Sequence, residues 1–512
     1  MRIHWFSPLP PARTEIAQYT ARIVPALCAG RELVLWTHQA EWHPGLESQA
    51  EVRRFDPGNL PWDQLDRADA TFFHIGNSSQ FHRAIWQVCQ EYPGIAILHD
   101  VLLHDAVVNH CRISPEIAGA YPDGWTGERM RVAFGPGDRG RPGSRRLTLR
   151  LSAPKWRPGE LSVRVLPDVA GRPEVYSIPS GGTLEIARAL PSEAGSIELL
   201  FAPALSPASC HAGDDSRIIG GYLESASMVG PHGKVLLNGR ENYFGIMQSF
   251  YGPRGRRDAE LHWRGALSLD QMAAAYSCIP FMLPASRGVV VHSRMAERAV
   301  RRETRLPVER LALPAPAGGV PEPHAGPPPW RLMVFGHLGP NRGLDSILTA
   351  LCLLEDRERF RLHIYGALHD PEAVSRQIEK LGLQDLVEIH GMAPEAELLA
   401  ALDSAHLAIN LRYPSRGEAS ASQLRIWNHG LPSIVTKIGW YAELPEDTVA
   451  FVRLGSMAED LCAHLRSYAA DPRRFVQMGL NGYRHFAERH TPERYVAGLL
   501  ELAARVRTEV GQ

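Results

Sequence analysis

Residues 412–430 read RYPSRGEASASQLRIWNHG and set one carboxylate, Glu418, among three arginines and three serines. The stretch lies between two apolar runs, LAINL and PSIV, so it joins a buried strand to a helix. In α/β proteins such a loop faces the crevice at the carboxyl ends of the strands, and the helix after it offers N–H groups to an anion. A carboxylate there can accept two hydroxyl hydrogen bonds in a pocket the size of a sugar, and Ser420 and Ser422 can add hydroxyl or backbone contacts. The plainer reading is a polar loop with an N-cap serine and a glutamate that favours the helix dipole.

Two further stretches carry chemistry of the same kind. In FGHLGPNRGLDSIL (335–348), Gly336, Gly339 and Gly343 permit a tight strand-to-helix turn, and Arg342 stands just before the helix. Backbone N–H groups at such a turn face a diphosphate that an arginine can grip; the alternative is an ordinary turn with a solvated arginine. In ILHDVLLHD, His99 and Asp100 end a strand, and His104 and Asp105 lie near the next helix start. A strand-end imidazole can bond a sugar hydroxyl or polarise a reacting centre. The alternative is helix capping by an aspartate beside a supporting histidine. Residues 76–79 of HIGNSS, with Asn77, either line the same crevice or cap a helix.

The elements that must position these residues follow from periodicity. RIHWFSP is a strand, and TEIAQYTARIVPALCAG is a helix with Ile16, Tyr19, Ile23 and Leu27 on one face and Gly30 as its stop. ELVLWT, ATFFHIG, GIAILHD and GVVVHS are short β-rich runs ending in polar residues, as buried parallel strands do. From about Tyr121 to His232 helical periodicity fades. LTLRLSA, ELSVRVLPD, EVYSIP, GTLEIAR and SIELLFAP alternate between Gly, Pro and Asp breaks, which predicts an antiparallel sandwich inserted in the first α/β domain. LPAPAGGVPEPHAGPPPW (313–330) is a proline-rich linker, after which α/β alternation restarts through RLMVFG, FRLHIYG, LVEIHG, LAINLR, PSIVTK and VAFVRLG. The expected boundaries are 1–119 and 233–318 for the first domain and 120–232 for the sandwich. The second α/β domain takes 319–490, and a final helix, 491–512, can pack back on the first. Two such domains create a cleft between their strand ends.

The totals narrow the class. The chain has 512 residues, 44% hydrophobic and 22% charged, with a formal net charge of −1, so no global basic field points to nucleic acid. Only Lys155, Lys234, Lys380 and Lys437 are lysines, so arginine carries the positive charge. Seven scattered cysteines without CxxC spacing read as reduced thiols of a cytoplasmic protein. MRIHWFSPLPP reads as strand and loop rather than a signal peptide, and no apolar run approaches a membrane span. The arginine cluster GPRGRRD (252–258), read as a loop, leaves peripheral contact with the inner membrane face open.

Taken in order, SPLPPARTEIAQY, HIGN, ILHDVLLHD, VVVHS, FGHLGPNRG, IYG, IHG and NLRYPSRGEASAS…GLPSIV…GWYAELP resemble the family 4 glycosyltransferases over roughly 1–119 and 233–512. That resemblance implies a GT-B fold, two Rossmann-like doubly wound domains facing a cleft, here with the all-β sandwich inserted in the first. It implies transfer of a sugar from a nucleotide diphosphate donor with retention of configuration, with no cofactor and no metal. It implies that Glu418 contacts the donor sugar, that Arg342 neutralises the leaving diphosphate, and that His99 lies beside the transferred sugar. The donor set is then Gly336, His337, Arg342, Gly343, Ser420, Ser422 and Arg425, and the acceptor-side set Glu15, Asn77, Asp100 and His104.

Three positions depart from the family pattern. Arg425 fills the place of a second glutamate near the nucleotide ribose, which leaves ribose recognition open. The usual Arg-then-Lys pair of the phosphate turn appears as His337 and Arg342, and histidine is only partly charged near neutral pH. Thr14-Glu15 stands where the first-domain loop often carries glycine; Glu15 would repel a diphosphate it faced, or it points to the acceptor. The inserted segment, through YPDGWTGERMRVAF and DDSRIIGGYLESASM, is similar to small β-domains of bacterial surface-polysaccharide glycosyltransferases. The expectation is a cytoplasmic hexosyltransferase extending a surface polysaccharide or lipid-linked glycan. A sugar-nucleotide epimerase of the same fold, or a catalytically degenerate glycan-binding scaffold, are the alternatives.

Overall fold

A computed structural model describes residues 1–57, 60–112, 117–120, 125–133, 145–167, 173–190, 196–212, 217–230, 233–238 and 240–508. The chain forms two compact units. One comprises Met1–Gly76, Ala84–Val101 and Met282–Gln512, and the other Asn77–Arg83 and Leu102–Phe281.

The first unit holds two parallel sheets, the GT-B arrangement that the sequence predicts. The seven-stranded sheet runs Val308–Arg310, Ser286–Val291, Gly94–Leu98, Ala70–Ile75, Arg2–Phe6, Glu32–Thr37, Glu51–Arg54. The six-stranded sheet runs Val387–Gly391, Phe360–Tyr365, Trp330–Phe335, Leu407–Asn410, Ser433–Thr436, Ala450–Val452. Their inner strands are near-continuous apolar runs because both faces are covered, whereas the edge strands Glu51–Arg54 and Val387–Gly391 are polar and largely exposed. In Trp330–Phe335, Leu332 and Val334 enter one core cluster while Met333 and Phe335 enter the opposite one. In the second sheet the order reverses between Trp330–Phe335 and Leu407–Asn410, and the crevice at such a reversal is where open α/β sheets bind ligands.

The helix Glu15–Cys28 follows the first strand; Thr14 caps it, and Tyr19, Ile23 and Leu27 are buried as their spacing predicts. The terminal helix Pro492–Thr508 lies on the same domain: Arg507 pairs with Asp69 at 3.2 Å, Arg505 with Glu309 at 3.0 Å, and Tyr495 meets Tyr19 edge-on. The proline-rich stretch is pinned rather than loose. His490 Nδ1 donates to Leu313 O at 2.7 Å, and Ala315 N donates to His490 O at 2.9 Å.

The second unit contains a five-stranded and a four-stranded antiparallel sheet. Leu147, Leu149 and Leu151 from one and Val163, Leu199 and Phe201 from the other share one apolar cluster. This unit also takes in residues 102–119 and 233–281, beyond the expected sandwich limits. The reason is packing: Trp263 donates to Tyr222 of the four-stranded sheet at 2.8 Å, and His104 bonds Tyr243 at 2.7 Å. Of the two segments that suggested a known β-domain, residues 121–124, 134 and 214–216 lie outside the described residues.

The arginine cluster 252–258 is not a loop. It sits in the helical run Arg240–Trp263, interrupted only at Gly252, whose φ is +68°. Pro253 then opens the second half, a position where its missing N–H costs nothing. Arg254 pairs with Asp258 at 3.8 Å and Arg256 with Glu260 at 3.0 Å, the ordinary i,i+4 pairing of a helix surface.

Candidate active site

The glycine-rich turn is built by close chain crossing. Gly336 has φ +107° and Gly366 φ +125°, and a Cβ on Gly366 would collide with the Gly336 carbonyl. Gly336 N donates to Tyr365 O at 2.9 Å. The chain then makes a short 3-10 turn, Pro340–Arg342, and passes through Gly343, φ +61°, into the helix Leu344–Cys352, which no side chain caps.

Arg342 is only 8% exposed. Its Nε donates to His337 O at 3.3 Å and its Nη1 to Asn410 Oδ1 at 3.0 Å, both neutral acceptors. Asn410 ends the neighbouring strand, so the guanidinium spans the strand-order reversal. Behind it the amide of Asn410 donates to Gln423 Oε1 at 3.1 Å, and Gln423 Nε2 donates to Ser433 Oγ at 2.8 Å. This buried polar chain fixes where Arg342 points. Burial, then the charge of Arg412, lowers the Arg342 pKa to about 10, and the carboxylates of Glu418 and Glu15 oppose that only in part. A cation so placed is under-compensated.

Glu418 lies in the loop before Ser420, not in the helix. Ser420 Oγ accepts from Gln423 N at 3.2 Å and caps Ala421–Asn428. The Glu418 carboxylate is held locally: Oε1 faces Arg412 Nη1 at 3.2 Å, and Oε2 accepts from Arg416 N at 2.6 Å and Ser415 Oγ at 3.2 Å. The loop is also fastened to the first α/β domain. Val101 N donates to Arg416 O at 3.0 Å, Ser293 Oγ to Gly417 O at 3.4 Å, and a Cβ on Gly417, φ +88°, would strike Val101. Glu443 adds a second tie by accepting from Arg294 N and Met295 N at the start of the helix Arg294–Glu303.

That fastening brings the strand end of His99 and Asp100 beside the Glu418 loop. His99 Nε2 meets His74 Nδ1 at 2.8 Å, with the two rings stacked. Tyr19 stands edge-on to His99, and the His292 ring lies 5.2 Å from it. His292 donates from Nδ1 to Leu311 O at 3.1 Å, and burial lowers its pKa to about 4, so it is neutral at physiological pH.

The remaining predicted residues divide. Gly336, Arg342, Gly343, Ser420 and Ser422 converge on the turn, with the Ser422 hydroxyl 3.8 Å from where a Gly336 Cβ would stand. His337 is exposed and contributes its carbonyl to Arg342. Glu15 is exposed at the helix start and lies within electrostatic reach of both Arg342 and Arg22. Arg425 is engaged elsewhere: it pairs with Glu395 and lies over the Phe335 ring at 5.9 Å. Asn77 and His104 belong to the second unit and have structural partners there. Asn77 accepts from Ala106 N at 3.0 Å and donates to Leu102 O at 2.9 Å, so it fastens the start of the helix His104–Arg112. The His104 ring is fully buried between Tyr243 and Cys278, which leaves it no face for a ligand. Sequence reasoning missed Asn410, Arg412 and His74. The signal for His74 was available, since HIG and ILHD both place a histidine at the end of a parallel strand.

Residues 323–485 match the family model of Glycosyl transferases group 1. No curated protein matches the sequence. Among solved structures, the sucrose-phosphate synthase of Thermosynechococcus elongatus aligns at a TM-score of 0.51 and 12% identity, covering 100% of this chain and 99% of that one. Anabaena HepE, solved with UDP and glucose, aligns at a TM-score of 0.51 and 11% identity over 99% of this chain and 100% of its own. The second α/β domain is thus a glycosyltransferase group 1 domain, and the fold around it is GT-B. The class that follows is an enzyme, a glycosyltransferase.

Proposed function

We propose that the protein is a retaining glycosyltransferase that moves a sugar from a nucleoside diphosphate donor to a glycan or lipid-linked acceptor in bacterial surface-polysaccharide synthesis. The observation that carries this reading is Arg342, a buried cation with neutral partners at the strand-order reversal, held there by Asn410. A diphosphate is the anion whose chemistry suits that cation together with an uncapped helix start.

In this reading the donor diphosphate lies against Gly336–Gly343 and Arg342. As the bond from the anomeric carbon to the phosphate oxygen breaks, negative charge grows on the diphosphate, where the guanidinium is already oriented. The acceptor hydroxyl bonds to the anomeric carbon from the face the diphosphate leaves, and its proton passes to the departing phosphate oxygen. His99, oriented by His74, bonds the transferred sugar, and Glu418, with Arg412, bonds its hydroxyls. Metal is not required, because Arg342 supplies the charge. HepE was solved with UDP, and a uridine donor is the first to try. The sandwich is an inserted domain of the cytoplasmic enzyme that contacts glycan or assembly partners.

A thermal-shift panel of nucleoside diphosphate sugars, repeated with Glu418→Ala, tests this. One donor should raise the wild-type midpoint and do so less in the variant; a donor at about 100 times its Kd adds about 2.7 kcal/mol. Equal shifts in both proteins would remove Glu418 from the sugar site.

A further inference from the structure

We propose that His363, Glu388 and His390 form a structural site for a zinc-class divalent ion, built on the outer strands of the second sheet. His363 sits on Phe360–Tyr365, and Glu388 and His390 on the edge strand Val387–Gly391. The parallel register sets His363 opposite Glu388; it then shifts by one residue, pairing Tyr365 with Gly391, and His390 lies at that irregularity with its ring against His363 and Tyr365. His363 Nδ1 lies 3.1 Å from His390 Nε2 and 3.4 Å from Glu388 Oε2, and His390 Nε2 lies 3.7 Å from that same oxygen. Three ligand atoms around a tetrahedral ion with bonds of about 2.0–2.1 Å stand about 3.3–3.4 Å apart. The three separations bracket that value, and the hydrogen bond between the two imidazoles would give way to the ion.

Two features make the trio a ligand set rather than a chance surface cluster. His390 stacks flat on Tyr365, with ring centroids 4.1 Å apart and planes 3° from parallel, so its ring is already oriented. His363 is half-buried on the neighbouring strand, so the sheet fixes where its ring stands. Arg331 and Arg361 lie within electrostatic reach and oppose any cation there through charge, so binding must come from the ligand chemistry. Two imidazoles and one carboxylate instead suit zinc, nickel or copper, with an open fourth position for water. The ion would clamp the ends of two strands beneath the glycine turn, where Gly366 N donates to Gly391 O at 2.6 Å and Tyr365 O receives Gly336 N. Its role is structural and does not depend on the proposed transfer reaction.

The test is zinc titration of the chelator-treated full chain by calorimetry, followed by cobalt substitution to read visible absorption. Wild type should bind one zinc that His390→Gln weakens at least about tenfold, with a tetrahedral cobalt spectrum lost in the same variant. His390 is exposed, so the variant keeps the fold; circular dichroism checks this, and Glu388→Gln serves as a second exposed ligand variant. Absence of zinc binding by wild type, or binding that neither variant weakens, would overturn the site.

Discussion

Replacing Arg342 with methionine should leave the ligand-free protein at least as stable as the wild type while removing its response to a donor. The guanidinium is buried against two neutral oxygens, and burial with the nearby Arg412 lowers its pKa to about 10. That depression corresponds to about 3 kcal/mol. Below pH 10 the group is charged in both folded and unfolded chains, so the cost is present in full at pH 7 and is relieved only as pH rises past about 10. Methionine removes the charge and keeps most of the volume. Against this, Asn410 Oδ1 and His337 O lose a donor, which costs about 1–3 kcal/mol if Asn410 stays dry. The balance is a gain between zero and about 2 kcal/mol. For a domain of 150–250 residues, each kcal/mol moves Tm by about 2–4 °C. Calorimetry should therefore show Tm unchanged or raised by several degrees, and no further rise with a donor that stabilises the wild type. A fall of more than about 4 °C with intact secondary structure would refute the idea of an under-compensated cation.

Three further outcomes follow from the same geometry. Asn410→Asp gives Arg342 a charged partner 3.0 Å away, so donor affinity should fall about tenfold or more by calorimetric titration while the fold is retained. Gly417→Ala places a Cβ against Val101 at φ +88°, so chemical denaturation should show a loss of about 1–3 kcal/mol, partly recovered by adding Val101→Ala. Burial depresses His292 and His490 to about 4, so the unfolded chain takes up protons first as pH drops below 6.5. Stability that is complete above that pH should then decline towards pH 4 by up to about 3 kcal/mol for each histidine, and His292→Phe should flatten the slope of urea midpoint against pH.

Much of the scaffold was legible because its signals are local. Apolar runs ending in polar residues marked the parallel strands, and Gly336, Gly343 and Arg342 marked the turn. What stayed hidden depends on pairing at a distance. Asn410 looked like the last residue of a strand, and only the strand order shows that it holds Arg342. His363 and His390 stand 27 residues apart, a spacing that means nothing until two strands lie side by side. Polarity misled at His104, which is buried with both ring nitrogens bonded, and at 252–258, where an arginine cluster read as a loop lies in a helical run instead. Arg425 stands on the right helix, but its charge is engaged by Glu395.

The most direct measurement is release of nucleoside diphosphate from a panel of donors with a glycan acceptor, with the anomeric configuration of the product read by NMR. The wild type should release diphosphate from one donor and yield a product that keeps the donor's configuration. Arg342→Gln should slow this about 10²–10³-fold, the usual loss when one oriented donor to developing charge is removed. Release at the wild-type rate in Arg342→Gln, or a product of inverted configuration, would contradict a retaining transferase built around that arginine.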